Sequence, residues 1–289
     1  MNDFKSRVLV AGATGYLGRH LIESLQAFDF DFQALARAPE KLKDLGLTGA
    51  QIKTVQVTDA ASLQGCCDGI DIVISCIGIT RQKEGLSYMD VDYQANLNLL
   101  EEAEQAGVKK FVYVSAFKAD AIINVRLLEA KERFAHRLLN SEQLTPCVIR
   151  PNGFFADIDE FYNMAQSGRA YLFGSGDVRV NPIHGRDLAD FILASLPNTE
   201  TELDVGGPDV YSATQIAQLA FYSQGKTARI TYIPDWMRKL ALIVVRRLPE
   251  SRVGPIEFFL SAMAEDAIAP CVGTHHLNVH FSRLNDESS

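Results

Sequence analysis

The sequence predicts a doubly wound α/β fold: a parallel sheet with helices on both faces, followed by a smaller C-terminal α/β lobe. Three observations predict it. Short, near-continuous apolar runs alternate with helical patterns through the first half of the chain, as in strands buried on both faces. The first run opens directly into a glycine-rich turn and a helix. After residue 150 the alternation loosens into helices and isolated strands, the pattern of a lobe appended to a sheet.

The elements follow in order. RVLVAG (7–12) is a strand, with a helix to about Ala27. FQALAR (32–37) is the second strand, and a short helix starts at Pro39. IKTVQVT (52–58) is the third, leading to a helix from near Asp59. IDIVISC (70–76) is followed by a long helix from about Leu86 to Gln105, closed by Gly107. KFVYVSA (110–116) and TPCVIRP (145–151) flank the helical stretch NVRLLEAKERFAHRLLN. Beyond them the pattern places helices near 158–167, 185–196, 212–224, 235–247 and 255–267, and strands at 203–208 and 228–233. Right-handed crossovers between parallel strands then yield the doubly wound topology.

The chain has 289 residues, 47% hydrophobic and 22% charged, an ordinary globular composition. Its net charge of −8 lacks the basic footprint of a general nucleic-acid binder. Cys66, Cys67, Cys76, Cys147 and Cys271 have neither metal nor disulfide spacing and read as reduced thiols of a cytoplasmic protein. The N-terminus enters a strand at once, which leaves no room for a signal peptide. The longest apolar run, LALIVV at 240–245, is too short to cross a bilayer.

The turn VLVAGATGYLGRHL carries Gly12, Gly15 and Gly18 between a strand and a helix. Glycines there permit a tight turn and close approach to a pyrophosphate, while the helix N-terminus offers N–H groups and a positive dipole. Thr14, Tyr16 and Leu17 belong to the same loop. This reads as the dinucleotide turn of a Rossmann fold, with a bland tight turn as the competing reading, so residues 1–151 read as a cofactor-binding core. Residues 152–289 read as the lobe, with about 180–208 returning to the core. The second strand ends in LARAPEK. An acidic residue at that position would bind the ribose 2′-OH of NAD. Arg37, with Lys41 one turn on, suits the 2′-phosphate of NADP(H) instead. Arg37 as a solvated surface residue is the competing reading. Asp59, at the end of the third strand, can accept from an adenine amino group, cap a helix, or do both.

These motifs resemble the atypical extended short-chain dehydrogenases/reductases, including relatives of the nitrogen-metabolite repressor and of isoflavone reductase. GATGYLG matches the atypical glycine motif, NLNLLEEAEQAGVKKFVYVSA the fourth helix and fifth strand, VIRPNGFF the segment after the sheet, and NPIHGRDLADFI a helix start in the substrate lobe. The resemblance implies that Lys131 bonds the nicotinamide ribose, and that Pro151, Asn152 and Phe154 border the nicotinamide. The family's acid/base tyrosine, four residues before the lysine, is Leu127 here. Ser115 ends strand five, and the family's assisting serine aligns with Ala116.

Lys131 also stands out without the family. On a helix of 100° per residue it falls among Leu127, Leu128, Phe134, Ala135, Leu138 and Leu139, opposite Glu129, Glu132, Arg133, His136 and Arg137. A lysine on a buried face is paired, shifted in pKa or near a ligand. The resemblance to tyrosine-less relatives implies the lysine itself as proton donor or acceptor, and desolvation beside a cationic nicotinamide would lower its pKa to suit that role. Alternatively, its stem covers apolar surface. Tyr88, Tyr93 and Tyr162 are further proton sources, unranked. His184 and Asp187 read as a helix cap. His275, His276 and His280 lack a nearby carboxylate in sequence, so no metal is expected.

Residues 236–252 hold five basic residues and one acidic residue. They read either as a lobe helix with a basic outer face or as a contact for an anionic membrane surface or a protein. Two functions remain open. One is an NADPH-dependent oxidoreductase acting on a small apolar carbonyl or activated alkene. The other is a non-catalytic NADP(H)-binding redox sensor or assembly/scaffold factor. The partner is therefore a small-molecule substrate or none; oligomeric state has no signature in the sequence.

Overall fold

The computed structural model describes residues 6–79, 85–122 and 124–288. Its strands are β1 (Val8–Ala11), β2 (Phe32–Ala36), β3 (Ile52–Thr54), β4 (Ile72–Ser75), β5 (Lys110–Val114), β6 (Thr145–Pro151), β7 (Ala170–Phe173), β8 (Arg179–Val180), β9 (Glu202–Val205), β10 (Tyr211–Ser212) and β11 (Ile230–Ile233). Its α-helices are α1 (Tyr16–Ala27), α2 (Ala60–Leu63), α3 (Asn96–Ala106), α4 (Arg126–Leu139), α5 (Phe155–Gln166), α6 (Gly185–Ser195), α7 (Ala213–Ser223), α8 (Asp235–Val245), α9 (Glu250–Ala262) and α10 (Leu277–Ser288).

The chain divides into two compact units. The first comprises Met1–Arg150 and Leu188–Leu203; the second comprises Pro151–Asp187 and Asp204–Ser289. The returning segment is thus shorter than the 180–208 expected. The main sheet runs β3-β2-β1-β4-β5-β6-β9, and β1, β2, β3, β4, β5 and β6 pair in parallel. Strand order reverses between β1 and β4, which opens a crevice at their carboxyl ends. β1, β4 and β5 are buried along their whole length, which is why their sequences are apolar without alternation. A core cluster including Leu9, Val73, Leu99, Phe111, Phe134 and Leu138 packs this unit. In the second unit, β11 pairs in parallel with β7, and β10 antiparallel with β8. Phe155, Tyr162, Phe221, Leu277 and Phe281 form its core.

Several elements differ from the sequence expectation. The run 52–58 stays a strand only to Thr54, because the Gln56 amide donates to Ser62 Oγ at 2.8 Å and a turn takes over. The helix expected from Leu86 begins as a π-helical segment, Met89–Ala95, before α3. Gly107 closes α3 in the left-handed conformation, as a C-terminal glycine does. The sequence reading missed β7, β8, β10 and α10. All five cysteines are free thiols.

Candidate cofactor site

The site is built where β1 meets α1. Gly12 follows β1 with φ +81°, and a Cβ there would lie 2.7 Å from the Cys76 carbonyl at the end of β4. Only glycine fits this approach of two parallel strands. A Cβ at Gly18 would collide with the Gly12 carbonyl, so the helix can start this close to the strand only with glycine at that position. The Gly15 amide donates to the Gly12 carbonyl at 3.0 Å and closes the turn. No side chain caps α1, and no acidic residue stands in its first turn. The positive helix end is therefore suited to a phosphate.

A cleft opens at this turn within the first unit. Gly12, Thr14, Gly15 and Arg37 line it, together with Val55–Thr58 and Cys76–Ile79. Arg37 directly follows β2, lines the cleft and is exposed. Burial pushes the Cys76 thiol up to about 12, so it stays neutral. Of the predicted cofactor residues only Gly12, Thr14, Gly15 and Arg37 line the cleft; the others stand elsewhere. Leu17 is buried beneath the loop. The Tyr16 ring packs edge-on against His20. Lys41 is exposed, and its carbonyl accepts from Arg19. Asp59 caps α2, accepting from the Ala61 amide at 3.0 Å, and Val55–Thr58 stand at the cleft instead. Pro151, Asn152 and Phe154 belong to the second unit. There the Asn152 amide donates to Asn181 Oδ1 and to the Ala267 carbonyl, each at 2.6 Å. Phe154 is the N-cap residue of α5.

A second cavity of about 640 Å³ lies at the opposite, amino ends of β4, β5 and β6. Its one buried cation, Lys110, already donates to the Leu196 and Asn198 carbonyls at 2.9 and 2.6 Å. Burial pushes that ammonium down. The cleft at the carboxyl ends is the better ligand site, because it combines the glycine turn, a helix N-terminus and an arginine.

Lys131 sits behind the wall of that cleft. Its Nζ lies 3.0 Å from Asp92 Oδ1, with Asp92 fully buried, and 5.7 Å from the centroid of the Tyr113 ring. Gly78 lines the cleft, and a Cβ on it would stand 2.9 Å from Lys131 Nζ and 2.7 Å from Asp92 Oδ1. The missing side chain leaves the ammonium next to the cleft. Burial alone would depress the lysine, but Tyr113 and, after it, the charge of Asp92 outweigh it and raise the pKa. Burial raises Tyr113 as well, and the Asp92 carboxylate stands within ion-pair distance of the lysine. This differs from the expected lowering: the surroundings of Lys131 favour its charged form.

Asp92 and its neighbours escaped the sequence reading. Asp92 Oδ2 accepts from the Ile79 amide at 3.2 Å. Asn96, also fully buried, donates to the Asp92 and Ile77 carbonyls at 3.0 and 3.3 Å and accepts from Ser75 Oγ at 2.6 Å. These bonds hold the 76–79 segment that walls the cleft. A signal was available: Asp92, Asn96, Leu99 and Ala103 share one helix face, and all four are buried.

At the family's catalytic positions, Leu127 is buried. Ser115 Oγ donates to Glu132 Oε1 at 2.8 Å, and Glu132 also pairs with Arg150 at 2.9 Å. Glu132 was expected on the solvent side of α4 and instead ties the helix to β6. Tyr93 lies under Arg133, 4.7 Å from its guanidinium, while Tyr88 and Tyr162 are core residues. The C-terminal histidines each meet a separate carboxylate: His275 with Asp187 at 2.7 Å, His276 with Asp209 at 2.6 Å and His280 with Asp159 at 2.7 Å. His184 caps α6, its Nδ1 accepting from the Arg186 amide at 3.1 Å. Among the described residues no group of three such side chains could hold a metal ion.

Residues 12–199 match the model of the NAD(P)H-binding family. The chain belongs to this family. Among curated relatives it is 27% identical to the photosystem II assembly factor Ycf39 of Synechocystis, over 79% of this chain and 71% of that protein. It is also 27% identical to the divinyl chlorophyllide a 8-vinyl-reductase of Arabidopsis thaliana, over 78% of this chain but only 60% of that protein. These relatives are of the atypical short-chain dehydrogenase/reductase type. A solved structure of the Escherichia coli NADPH-dependent quinone oxidoreductase QOR2 with NADPH shares the fold. It aligns at a TM-score of 0.74 and 19% identity, over 96% of this chain and 99% of that one. The glycine turn and cleft of this NAD(P)H-binding protein lie inside the matched range, as do Asp92 and Lys131. No helix among the described residues is long and apolar enough to cross a membrane.

Proposed function

We propose that this NAD(P)H-binding protein is an NADPH-dependent oxidoreductase acting on a small apolar carbonyl or activated alkene. The observation that carries the reading is the single cleft that brings together the glycine turn, Arg37 and, behind Gly78, the Asp92-held Lys131. NADPH would supply a hydride there. The Gly12–Gly15 turn and the α1 end would hold the pyrophosphate, and Arg37 the 2′-phosphate. Lys131 would donate to ribose hydroxyls as a fixed cation. With leucine at 127, the alkoxide or enolate left by hydride addition would take its proton from water rather than from a tyrosine. The vinyl-reductase relative and the quinone-reductase neighbour support an electron-poor alkene or quinone-like acceptor.

The second reading is a non-catalytic NADP(H)-binding sensor or assembly factor. Leu127 at the family's tyrosine position and Ser115 committed to Glu132 favour it, as does the assembly-factor relative. One set of titrations separates the readings. NADPH should bind at least tenfold tighter than NADH. Arg37→Glu should remove that preference, since charge-assisted bonds of about 1.5–3 kcal/mol amount to roughly 10–100-fold. Equal loss of both cofactors would refute the 2′-phosphate role. NADPH oxidation that depends on an added enone or quinone supports the enzyme. Tight binding without turnover across such a panel supports the sensor.

A further inference from the structure

The second unit carries a helix that is apolar on both sides. On α8, Leu242 and Val245 are buried against Val253 and Leu260 of α9. Arg238 is buried with them, bonded to Asp235 at 2.6 Å and to the Leu260 carbonyl at 2.9 Å. At 100° per residue the opposite side holds Trp236, Leu240, Ile243 and Val244, and these are 62%, 53%, 49% and 51% exposed. An ordinary surface helix turns charge to water on that side. Cations border the stripe: Lys239 on the helix, paired with Asp235 at 3.2 Å, Arg246 and Arg247 just after it, and Arg252 on α9, all exposed. Glu250 is the one acidic residue in 236–252, within a chain of net charge −8.

We infer that α8 seats this unit on an anionic lipid surface, with the Trp236–Val244 stripe in the acyl boundary and Lys239, Arg246 and Arg247 at the headgroups. An apolar face rimmed by basic residues, with a tryptophan at its end, is the pattern of helices that lie in a bilayer interface. Charge complementarity selects an anionic surface over a neutral one. A protein partner is the poorer occupant. The exposed apolar side chains of α8 are Trp236, Met237, Leu240, Ile243 and Val244, far fewer than the roughly 20–30 residues a side of a stable protein interface. Residues 236–247 also contain no Ser, Thr, Asn, Gln or Tyr to form neutral interfacial hydrogen bonds. The inference is independent of any reductase activity.

Trp236 is the chain's single tryptophan, so its emission reports α8 alone. Vesicles of phosphatidylcholine with phosphatidylglycerol should blue-shift that emission, and brominated acyl chains should quench it. Phosphatidylcholine alone should do neither. Salt should weaken the response, and Arg246→Glu with Arg247→Glu should lower vesicle affinity about tenfold or more. Leu240→Glu with Ile243→Glu should abolish co-flotation while NADPH binding and the circular dichroism spectrum stay unchanged. Three results would overturn the inference: unaltered emission at a large lipid excess, equal binding to neutral and anionic vesicles, or a blue shift without lipid that follows dimer formation.

Discussion

Lys131 and Asp92 are best understood as one unit. A buried carboxylate without its cation is costly, and so is the reverse. Lys131→Met should therefore destabilise the protein by about 3–5 kcal/mol. The double variant Lys131→Met/Asp92→Leu should regain most of that loss in urea melts, because neither charge is then stranded. Cofactor affinity offers a second readout. If Lys131 serves the ribose, NADPH binding stays weak in the double variant although stability returns; recovery of both would make the pair purely structural. The pair also sets a pH dependence. The folded lysine titrates above its unfolded value, so its contribution is whole below about pH 10.4 and declines as pH rises toward the folded value. The stability gap between wild type and Lys131→Met should narrow across that alkaline range, and urea midpoints measured at several pH values would show it. A constant gap would mean that the lysine is not held by a carboxylate.

At the scale of elements, α7 shows how local chemistry sets a boundary. Ser212 accepts from the Gln215 amide at 3.2 Å, and Gln215 Oε1 accepts from the Ser212 amide at 2.8 Å. Ser212→Ala should cost about 1 kcal/mol and lower Tm by roughly 2–4 °C by calorimetry. Ser212→Asp should keep most of that stability. This cap was legible in the sequence because both partners lie within one turn. The central strands and α4 were legible for a similar reason, since each carries a complete periodic pattern. The end of β3 was not legible. Val55 and Val57 look like strand, but a bond from the Gln56 amide to Ser62 decides the turn, and no periodicity encodes that. The cofactor loop was readable from its glycines and Arg37. The Lys131 partner was not, although Asp92 breaks its own helix face as Lys131 breaks that of α4. Each break is visible alone, but only the packing of α4 against the Met89–Ala95 segment shows that they mate.

For the whole molecule, the first unit is discontinuous in sequence, and that has a consequence for folding. The segment Leu188–Leu203 is tied to the first 150 residues by bonds that nothing else supplies. Its Thr201 carbonyl accepts from the Val148 amide at 2.7 Å. Asp190 accepts from the buried Ser24 at 2.7 Å, and Glu202 pairs with Arg150 at 2.6 Å. The carbonyls of Leu196 and Asn198 receive the buried Lys110 ammonium. Leu188, Ile192 and Leu193 are buried with it. A fragment ending at residue 150 would leave β6 as a bare sheet edge, strand Lys110 without acceptors and expose the apolar surface under α6. Such a fragment should aggregate or unfold without a cooperative urea transition. Rejoining 188–203 to 1–150 through a flexible linker should restore a single sigmoidal transition and NADPH binding. A fragment 1–150 that melts cooperatively on its own would show that the returning segment is an ornament on the sheet rather than part of its folding unit.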